Sequence, residues 1–382
     1  MKILWVGPFF SDYALSHRFE VNQAASKWSR GLLSALKNAR TDVEIRVLSS
    51  CTAQRWPRGK VMWQDANEKW FLDWFPCERV GYCNVVGFKD LWLKNAYSHR
   101  AKKIFRSWHP DVVLCYNSLH AENVTVMRQA SKQGVKSVPI ILDGDDPRKD
   151  NWKWIEKGNR FASGVVFLSY WMTQNYPDKT KSVLHMDGGA DLFKGNSPTY
   201  TGVDHMYTLV HTGALDYWRG LDFMKHVVKS CKRKDVRFVF CGKCDKIKMA
   251  QAFENDPRVE IRGFISDEEV EELCCQADAF LNVREPSVGD NILNYPSKVP
   301  NYLSYGKPVV STWIDSFSPD YREVLDVCDN TPEGFVRVLD DVLNRNLEQQ
   351  KIKFEEIRAW FRERKSWDRQ AERLLEFIGR LI

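Results

Sequence analysis

Chemistry on a negatively charged group needs fixed cations beside free backbone amides, and three glycine-bearing segments of this sequence have that make-up. The first runs from Asn291 to Thr312, where Tyr295-Pro296-Ser297-Lys298 opens a helical pattern that reaches Ser304. Ser297 reads as a first-turn residue whose neighbouring N–H groups and positive dipole end suit an anion, and Lys298 adds a mobile charge beside it. In the second, His211 to Gly220, a strand ends in a loop that holds Gly213 and leads to Arg219 at the next helix start. A guanidinium placed there can fork onto a phosphate. The third turns at Gly263 after Val259-Glu-Ile-Arg262 and offers Ser266 or Asp267 as a helix cap.

Other side chains point to other chemistry. Leu142-Asp143-Gly144-Asp145-Asp146-Pro147-Arg148 places three carboxylates within four positions after an apolar strand. They can accept hydrogen bonds from a ligand's hydroxyls, or one can act as general base; the same residues equally make a turn capped by Asp and Pro. Cys241-Gly-Lys-Cys244 is a lone C-x-x-C without a second pair at finger spacing, so no metal site is expected, and Cys274-Cys275 reads as helix packing. His120 follows the strand at Val112 to Cys115 and is a candidate for contact with a substrate. The tryptophans at 56, 63, 70, 74 and 92 can stack on a ring-bearing ligand, lie at a membrane surface or fill a core.

The elements that must position these groups alternate between strand and helix. Lys2-Ile-Leu-Trp-Val6, closed by Gly7-Pro8, reads as a first buried parallel strand; a helical pattern follows to Leu36, then a strand at Val43 to Leu48. Further strands are expected at Val112–Leu114, Val138–Leu142, Gly164–Leu168 and Val183–Leu184. Residues 194–204 are turn formers without apolar period and mark a domain boundary. A second series then follows: strands at 207–211, 236–240, 259–261, 279–283 and 308–311, with helices at 221–230, 267–276 and 297–304. The expectation is an α/β protein of two Rossmann-like domains facing a cleft, 1–193 and 200–355, with a C-terminal helical segment, 356–382, crossing back to the first.

With 382 residues, 43% hydrophobic and 13% aromatic, the chain is a folded protein with room for two cores. No apolar run is long enough to span a bilayer, and the N-terminus lacks the apolar region and cleavage site of a signal peptide. The expected place is therefore the cytoplasm. The net charge of +6 is uneven: residues 1–200 carry +10 and the remainder −4. A basic, Trp-rich first half suits a phosphate-bearing partner, such as the anionic inner face of a membrane met peripherally, or is an ordinary solvated surface. No RNA-recognition or helix-turn-helix signature supports a nucleic acid.

Taken in order, Thr212-Gly-Ala-Leu-Asp-Tyr-Trp-Arg-Gly-Leu-Asp, Phe238-Val-Phe-Cys-Gly242, Arg262-Gly-Phe-Ile-Ser-Asp-Glu-Glu-Val, Gln276-Ala-Asp-Ala-Phe-Leu and Tyr295-Pro-Ser-Lys through Gly306-Lys-Pro-Val-Val resemble the donor-binding domain of family 4 glycosyltransferases. The flavour is that of bacterial capsule, exopolysaccharide and O-antigen enzymes. Leu184-His-Met-Asp-Gly-Gly-Ala-Asp191 is similar to the family's hinge, and Ser366-Trp367-Asp368 resembles the start of its crossing C-terminal helix.

The resemblance implies a GT-B architecture, with the acceptor on the first domain and a UDP- or GDP-sugar on the second. It implies transfer with retention of configuration, without a metal or other cofactor, to a glycan or lipid-linked saccharide. Arg219 matches the pyrophosphate-binding lysine, Ser297 and Lys298 the phosphate-contacting turn, and Gly263, Phe264 and Ile265 the base-reading loop. Asn301 falls where a glutamate grips the ribose. Gly213, Gly242, Arg262, Tyr295 and Pro296 complete the donor side. Asp143, Asp145 and Asp146 resemble the loop near the transferred sugar, and Gly7, Pro8, Asp12, Ser26, Lys27 and His120 are expected to flank the acceptor. Two positions depart from the family, Ala214 for an arginine and Leu293 for a glutamate. The alternative they leave open is a non-catalytic relative, a scaffold or nucleic-acid-binding protein on the same fold.

Overall fold

The computed structural model describes residues 1–17, 21–51, 53–66, 70–72, 74–118, 120–144, 152–193, 205–214, 216, 220–284 and 289–382. The expected boundary segment, 194–204, lies outside them. The chain divides into two units, the first made of Met1–Gly189 and Trp367–Ile382, the second of Ala190–Ser366.

Unit 1 begins with β1 (Lys2–Val6), α1 (Asp12–His17), α2 (Gln23–Ala39), β2 (Glu44–Ser49), β3 (Trp63–Gln64), β4 (Cys77–Arg79), β5 (Tyr82–Cys83) and α3 (Lys89–Trp108). It continues with β6 (Val112–Tyr116), α4 (Ala121–Lys132), β7 (Lys136–Ile141), α5 (Lys153–Asn159), β8 (Gly164–Phe167), α6 (Tyr170–Asn175) and β9 (Ser182–His185). Seven of these strands form a parallel sheet in the order β4-β2-β1-β6-β7-β8-β9, while β3 and β5 pair antiparallel as a separate ribbon. The central strands read as unbroken apolar runs because helices cover both faces; Ile3 to Val6 and Val112 to Cys115 are fully buried. Asn22 starts α2 by accepting the Ala25 N–H at 3.0 Å, and the helix buries Trp28, Leu32, Leu33 and Leu36.

Unit 2 repeats the plan with β10 (Tyr207–Thr212), α7 (Leu221–Ser230), β11 (Val236–Cys241), α8 (Lys246–Ala252), β12 (Val259–Gly263) and α9 (Asp267–Gln276). Then come β13 (Ala279–Asn282), α10 (Lys298–Ser304), β14 (Val309–Ser311), β15 (Asp326–Val327), α11 (Pro332–Leu343) and α12 (Leu347–Arg364). Its sheet is parallel throughout, ordered β12-β11-β10-β13-β14-β15, and packs Leu209, Phe238, Phe240 and Leu281 against Met224, Val227, Phe335 and Leu339. Ser266 caps α9 reciprocally: its hydroxyl accepts the Glu269 N–H, and the Glu269 carboxylate accepts the Ser266 N–H at 2.8 Å.

The helical tail expected to cross back from residue 356 is two helices, and the return comes later. α12 stays with unit 2, where Phe354 packs over Gly306. It ends because Lys365 is held in that unit's core, only 3% exposed, with its ammonium 3.0 Å from the Asp320 carboxylate and 4.4 Å from the Tyr321 ring centroid. The next helix, α13 (Trp367–Gly379), belongs to unit 1. There the Trp367 indole fills the space left by two glycines. A side chain on Gly31 would run into its ring, one on Gly189 would lie 2.5 Å from its Cε3, and Trp28 meets it edge-on at 5.6 Å. Farther along, Phe377 packs over Gly164, and Arg373 donates to the His185 carbonyl at 2.6 Å.

Candidate active site

In unit 2 three neighbouring strands end in glycine: β10 runs into Gly213, β11 into Gly242, and β12 closes at Gly263. The loops are laced together, the Gly213 N–H donating to the Cys241 carbonyl at 2.7 Å and the Gly242 N–H to the Gly263 carbonyl at 2.8 Å. Gly213 has φ +107° and Gly242 φ +156°, and a Cβ on Gly242 would collide with the Gly213 carbonyl oxygen. The carboxyl edge of the sheet is thus bare backbone, where a ligand of a parallel sheet can come close.

Beside this row lies a cavity of about 120 Å³, walled by His211 to Ala214, Asn282 to Arg284, Ser297, Lys298 and Tyr302. That is roughly the space of four water molecules, suited to a compact group such as a phosphate. Each wall is held in place by its own element. Tyr302, on α10, accepts the Thr212 N–H at 2.8 Å and stacks on Phe280 with ring centroids 4.4 Å apart, which ties the helix to the end of β10. Asn282 donates to the Ser311 hydroxyl at 2.8 Å. The Thr312 hydroxyl brackets the Arg284 backbone, accepting from its N–H and donating to its carbonyl, both at 2.8 Å. Ser297 and Lys298 stand exposed where α10 begins, and the Lys298 Cε lies 3.5 Å from where a Cβ on Gly213 would be.

His211 is buried behind these cations, and the Leu281 carbonyl sits 3.0 Å from its Nδ1. Burial above all, with the charges of Arg284 and Lys298 adding to it and the Leu281 and Ala214 backbone groups opposing it, lowers its pKa to about 4. It is therefore a neutral wall residue at pH 7. In the unfolded chain it titrates near 6.5, so between 6.5 and about 4 the unfolded state binds more protons. This contribution to stability is complete above pH 6.5 and is lost as pH falls through that window, on the order of 3 kcal/mol in all. Urea midpoints at pH 7 and pH 4.5 are expected to show this loss in the wild type and a smaller one in His211→Gln.

Of the expected donor-side residues, the structure brings Gly213, Ser297 and Lys298 together at the cavity and sets Gly242 and Gly263 in the adjoining row. Arg219 lies outside the described residues, as do Asp145 and Asp146. Tyr295 is instead buried, its hydroxyl paired with that of Tyr321 and its ring edge-on to Phe317 at 6.0 Å; Tyr302 is the tyrosine that lines the cavity. Pro296 is buried beside it, and Leu293 is fully buried where the family has a glutamate. Arg262 forks back to Glu260 at 2.7 Å. Phe264 is exposed, Ile265 half-buried, and Asn301 is exposed on α10 and does not line the cavity. Burial pushes the Cys241 thiol up to about 11, which makes it a poor thiolate, and no cluster of three metal-ligating side chains occurs among the described residues.

In unit 1, Asp143 is exposed just after β7, near enough to Tyr116 to raise that phenol's pKa further after burial has done most. Gly7 passes tightly under Tyr116, where a Cβ would lie 2.5 Å from the Tyr116 Cβ, and Pro8 follows half-buried. Asp12 pairs with Arg30, Lys27 is exposed, and His120 is an exposed N-cap that makes no side-chain cap bond. Ser26 is a correction: it is fully buried and accepts the Phe10 N–H at 2.9 Å, a core anchor rather than a substrate contact.

His211, Asn282, Arg284 and Tyr302 line the cavity without having been singled out in the sequence. One signal was available, since Arg284 follows β13 much as Arg219 follows β10, a cation just past a strand end.

Residues 207–345 match the sequence family described as glycosyl transferases group 1. Among solved structures, a glycosyltransferase from Rickettsia africae is similar with a TM-score of 0.69 at 13% identity, covering 100% of this chain and 98% of that one. HepE from Anabaena, crystallised with UDP, gives 0.68 at 12% identity over 100% of both chains. The lipopolysaccharide outer core galactosyltransferase WaaB in its apo form gives 0.66 at 13% over 100% of both. Likeness at such identity establishes the fold, which is GT-B. No curated protein sequence matches the chain.

Proposed function

Because the chain carries a group 1 glycosyltransferase domain within a GT-B fold, we propose that it is a glycosyltransferase moving a sugar from a UDP- or GDP-linked donor to a glycan or lipid-linked saccharide acceptor. The observation that carries this reading is the unit 2 cavity, where Lys298, Arg284 and bare glycine backbone converge on a space of phosphate size. Solved neighbours on the same frame hold UDP or UDP and glucose, which supports a nucleotide sugar as the partner here.

The reaction breaks the bond between the sugar's anomeric carbon and the diphosphate and forms one to the acceptor hydroxyl. Negative charge grows on the departing diphosphate, and cations already in place stabilise it at no cost in reorganisation. Lys298 and Arg284 supply that charge, with Arg219 expected beside them by resemblance. The departing phosphate oxygen can itself take the acceptor's proton, which fits a retaining, metal-independent transfer in surface polysaccharide or glycan synthesis. An inverted product would instead require a carboxylate base, and Asp143 is the exposed candidate. A non-catalytic phosphate-binding relative could use the same cations; the enzyme reading is preferred because the glycosyl transferases group 1 match over residues 207–345 spans the unit that holds this cavity.

A lipid-linked acceptor is supported by the surface of unit 1. Trp63, Phe88, Leu91 and Trp92 are all exposed, and Trp63 meets Trp92 edge-on at 5.1 Å. Exposed aromatics on a basic unit suit peripheral contact with an anionic membrane face. No helix among the described residues is long and apolar enough to cross a bilayer.

The test is a thermal-shift panel of UDP, GDP, ADP and their sugar conjugates, without metal and then with Mg²⁺. A ligand at 100 times its dissociation constant adds about 2.7 kcal/mol to the folded state. Stabilisation by one base and its conjugate without metal is expected and names the donor class; silence from every nucleotide would overturn the reading.

A further inference from the structure

We propose that unit 1 carries a second anion site, a cavity between α3, α4 and α5 that binds a phosphate or diphosphate ester. The cavity measures about 470 Å³ and is lined by Lys94 from α3, Arg128 from α4, and Trp154, Lys157 and Arg160 from α5 and the residue after it, with no carboxylate among the described residues of its wall. Four positive side chains converge on one concavity, and none of them is in an ion pair among the described residues. Some other cations of the same unit are ion-paired, as in Arg30 with Asp12, Arg55 with Asp90 and Arg100 with Glu78. Like charges held together repel unless a counter-ion joins them, so the arrangement favours an anion in the cavity.

A second observation points to the same ligand class. The Ser118 hydroxyl, in the cavity wall after β6, is fully buried and has no hydrogen-bond partner among the described residues. A buried hydroxyl without a partner is costly, and a phosphate oxygen meets that need. The wall is thin there because Gly158 has no side chain; a Cβ at 158 would lie 2.6 Å from the Ser118 carbonyl oxygen. Trp154 stands exposed at the rim with the Lys157 ammonium 5.0 Å from its ring centroid, a flat apolar surface for whatever the phosphate is attached to.

The first turns of α3 carry Lys94 in the cavity and Leu91 and Trp92 on the exposed aromatic surface. A phosphate in the cavity is therefore within reach of a lipid lying on that surface. On the glycosyltransferase reading, on which this assignment of role rests, the ligand is the phosphate-bearing end of the acceptor. A membrane headgroup and a soluble phosphate ester present the same chemistry, and the experiment separates them.

Inorganic pyrophosphate is titrated calorimetrically into Lys298→Ala protein, in which the unit 2 cavity is weakened, with and without the further pair Arg128→Gln and Lys157→Gln. In parallel, flotation with phosphatidylcholine vesicles, with and without phosphatidylglycerol, is measured for the wild type and the double variant. Loss of two charge-assisted contacts is expected to weaken pyrophosphate binding at least tenfold. The same loss confined to anionic vesicles supports the site and names a headgroup as its ligand. Pyrophosphate and vesicle binding both unchanged by the substitutions would overturn the proposal. The substituted side chains are exposed, and Lys94→Gln with Arg160→Gln is a second pair on the same cavity should the first disturb folding. UDP affinity, measured in the Arg128→Gln/Lys157→Gln protein with Lys298 intact, reports on unit 2 alone. Failure of UDP to bind the wild type would remove the transferase reading, while the unit 1 site would still be decided by pyrophosphate and vesicles.

Discussion

Lys298→Ala is expected to lower kcat/KM for sugar transfer by about 10²- to 10³-fold, the range seen when one preorganised partner of a developing oxyanion is removed. The argument is local. Lys298 sits at the cavity rim against Gly213, and its charge contributes to holding the His211 imidazole neutral. Because the side chain is exposed at the cavity rim, the melting temperature should stay within about 2 °C of the wild type. UDP or GDP affinity should fall about tenfold, less than the loss in turnover, since the lysine matters most when the diphosphate carries its full leaving charge. Initial rates with the donor class named by the thermal-shift panel, beside nucleotide titrations, separate the two effects. Equal losses in binding and turnover would make Lys298 a ground-state anchor only.

Trp367→Ala is expected to cost unit 1 about 3–5 kcal/mol, the range for emptying the space of a large buried aromatic. The loss belongs at the upper end because the ring is received by two glycines, which cannot move side chains into the gap. Trp28 would lose its edge-on neighbour at the same time. Since Trp367 is a residue of unit 1, urea denaturation should show an early transition in the variant, with UDP binding by unit 2 persisting past it to higher denaturant. Trp367→Phe should recover part of the difference. A single shifted transition that abolishes UDP binding at once would show that the two units unfold together.

Much of the frame was legible because buried parallel strands leave a plain mark: Ile3 to Val6 and Val112 to Leu114 are uninterrupted apolar runs, and Ser266 with Glu269 spells a capping box. α7 was likewise marked by the apolar periodicity of Phe223, Met224, Val227 and Val228. The break between α12 and α13 was not legible, because it depends on Lys365 meeting Asp320 and Tyr321, partners 45 and 44 positions earlier in the chain. The site was half legible for the same reason. Glycines and cations after strands announce themselves, but which tyrosine faces the cavity is decided by the hydrogen bond between Thr212 and Tyr302, 90 residues apart. Ser26 looked available because a serine on an amphipathic helix carries no sign that a backbone amide will claim it. Arg284, whose backbone Thr312 fixes at the cavity, stood in no motif that marked it, whereas Arg219, marked at a helix start, lies outside the described residues.

Unit 2 is an insertion in unit 1, entered at Ala190 and left at Ser366, and those two residues bridge each other as neighbouring strand positions. The order of synthesis on the ribosome therefore runs against the order of the domains. Domains generally fold as they emerge, at about 5–20 residues per second, yet unit 1 must wait for Trp367 to Ile382 while the whole of unit 2 is translated. For that interval the groove between Gly31 and Gly189 has no indole in it, and the faces of Trp28 and Gly164 that α13 will cover are open. All the residues of unit 2 precede α13 in the chain, so its core needs nothing from that helix. A released chain truncated after Ser366 should consequently bind nucleotide while its amino-terminal half remains open to protease, and restoring residues 367–382 should close it.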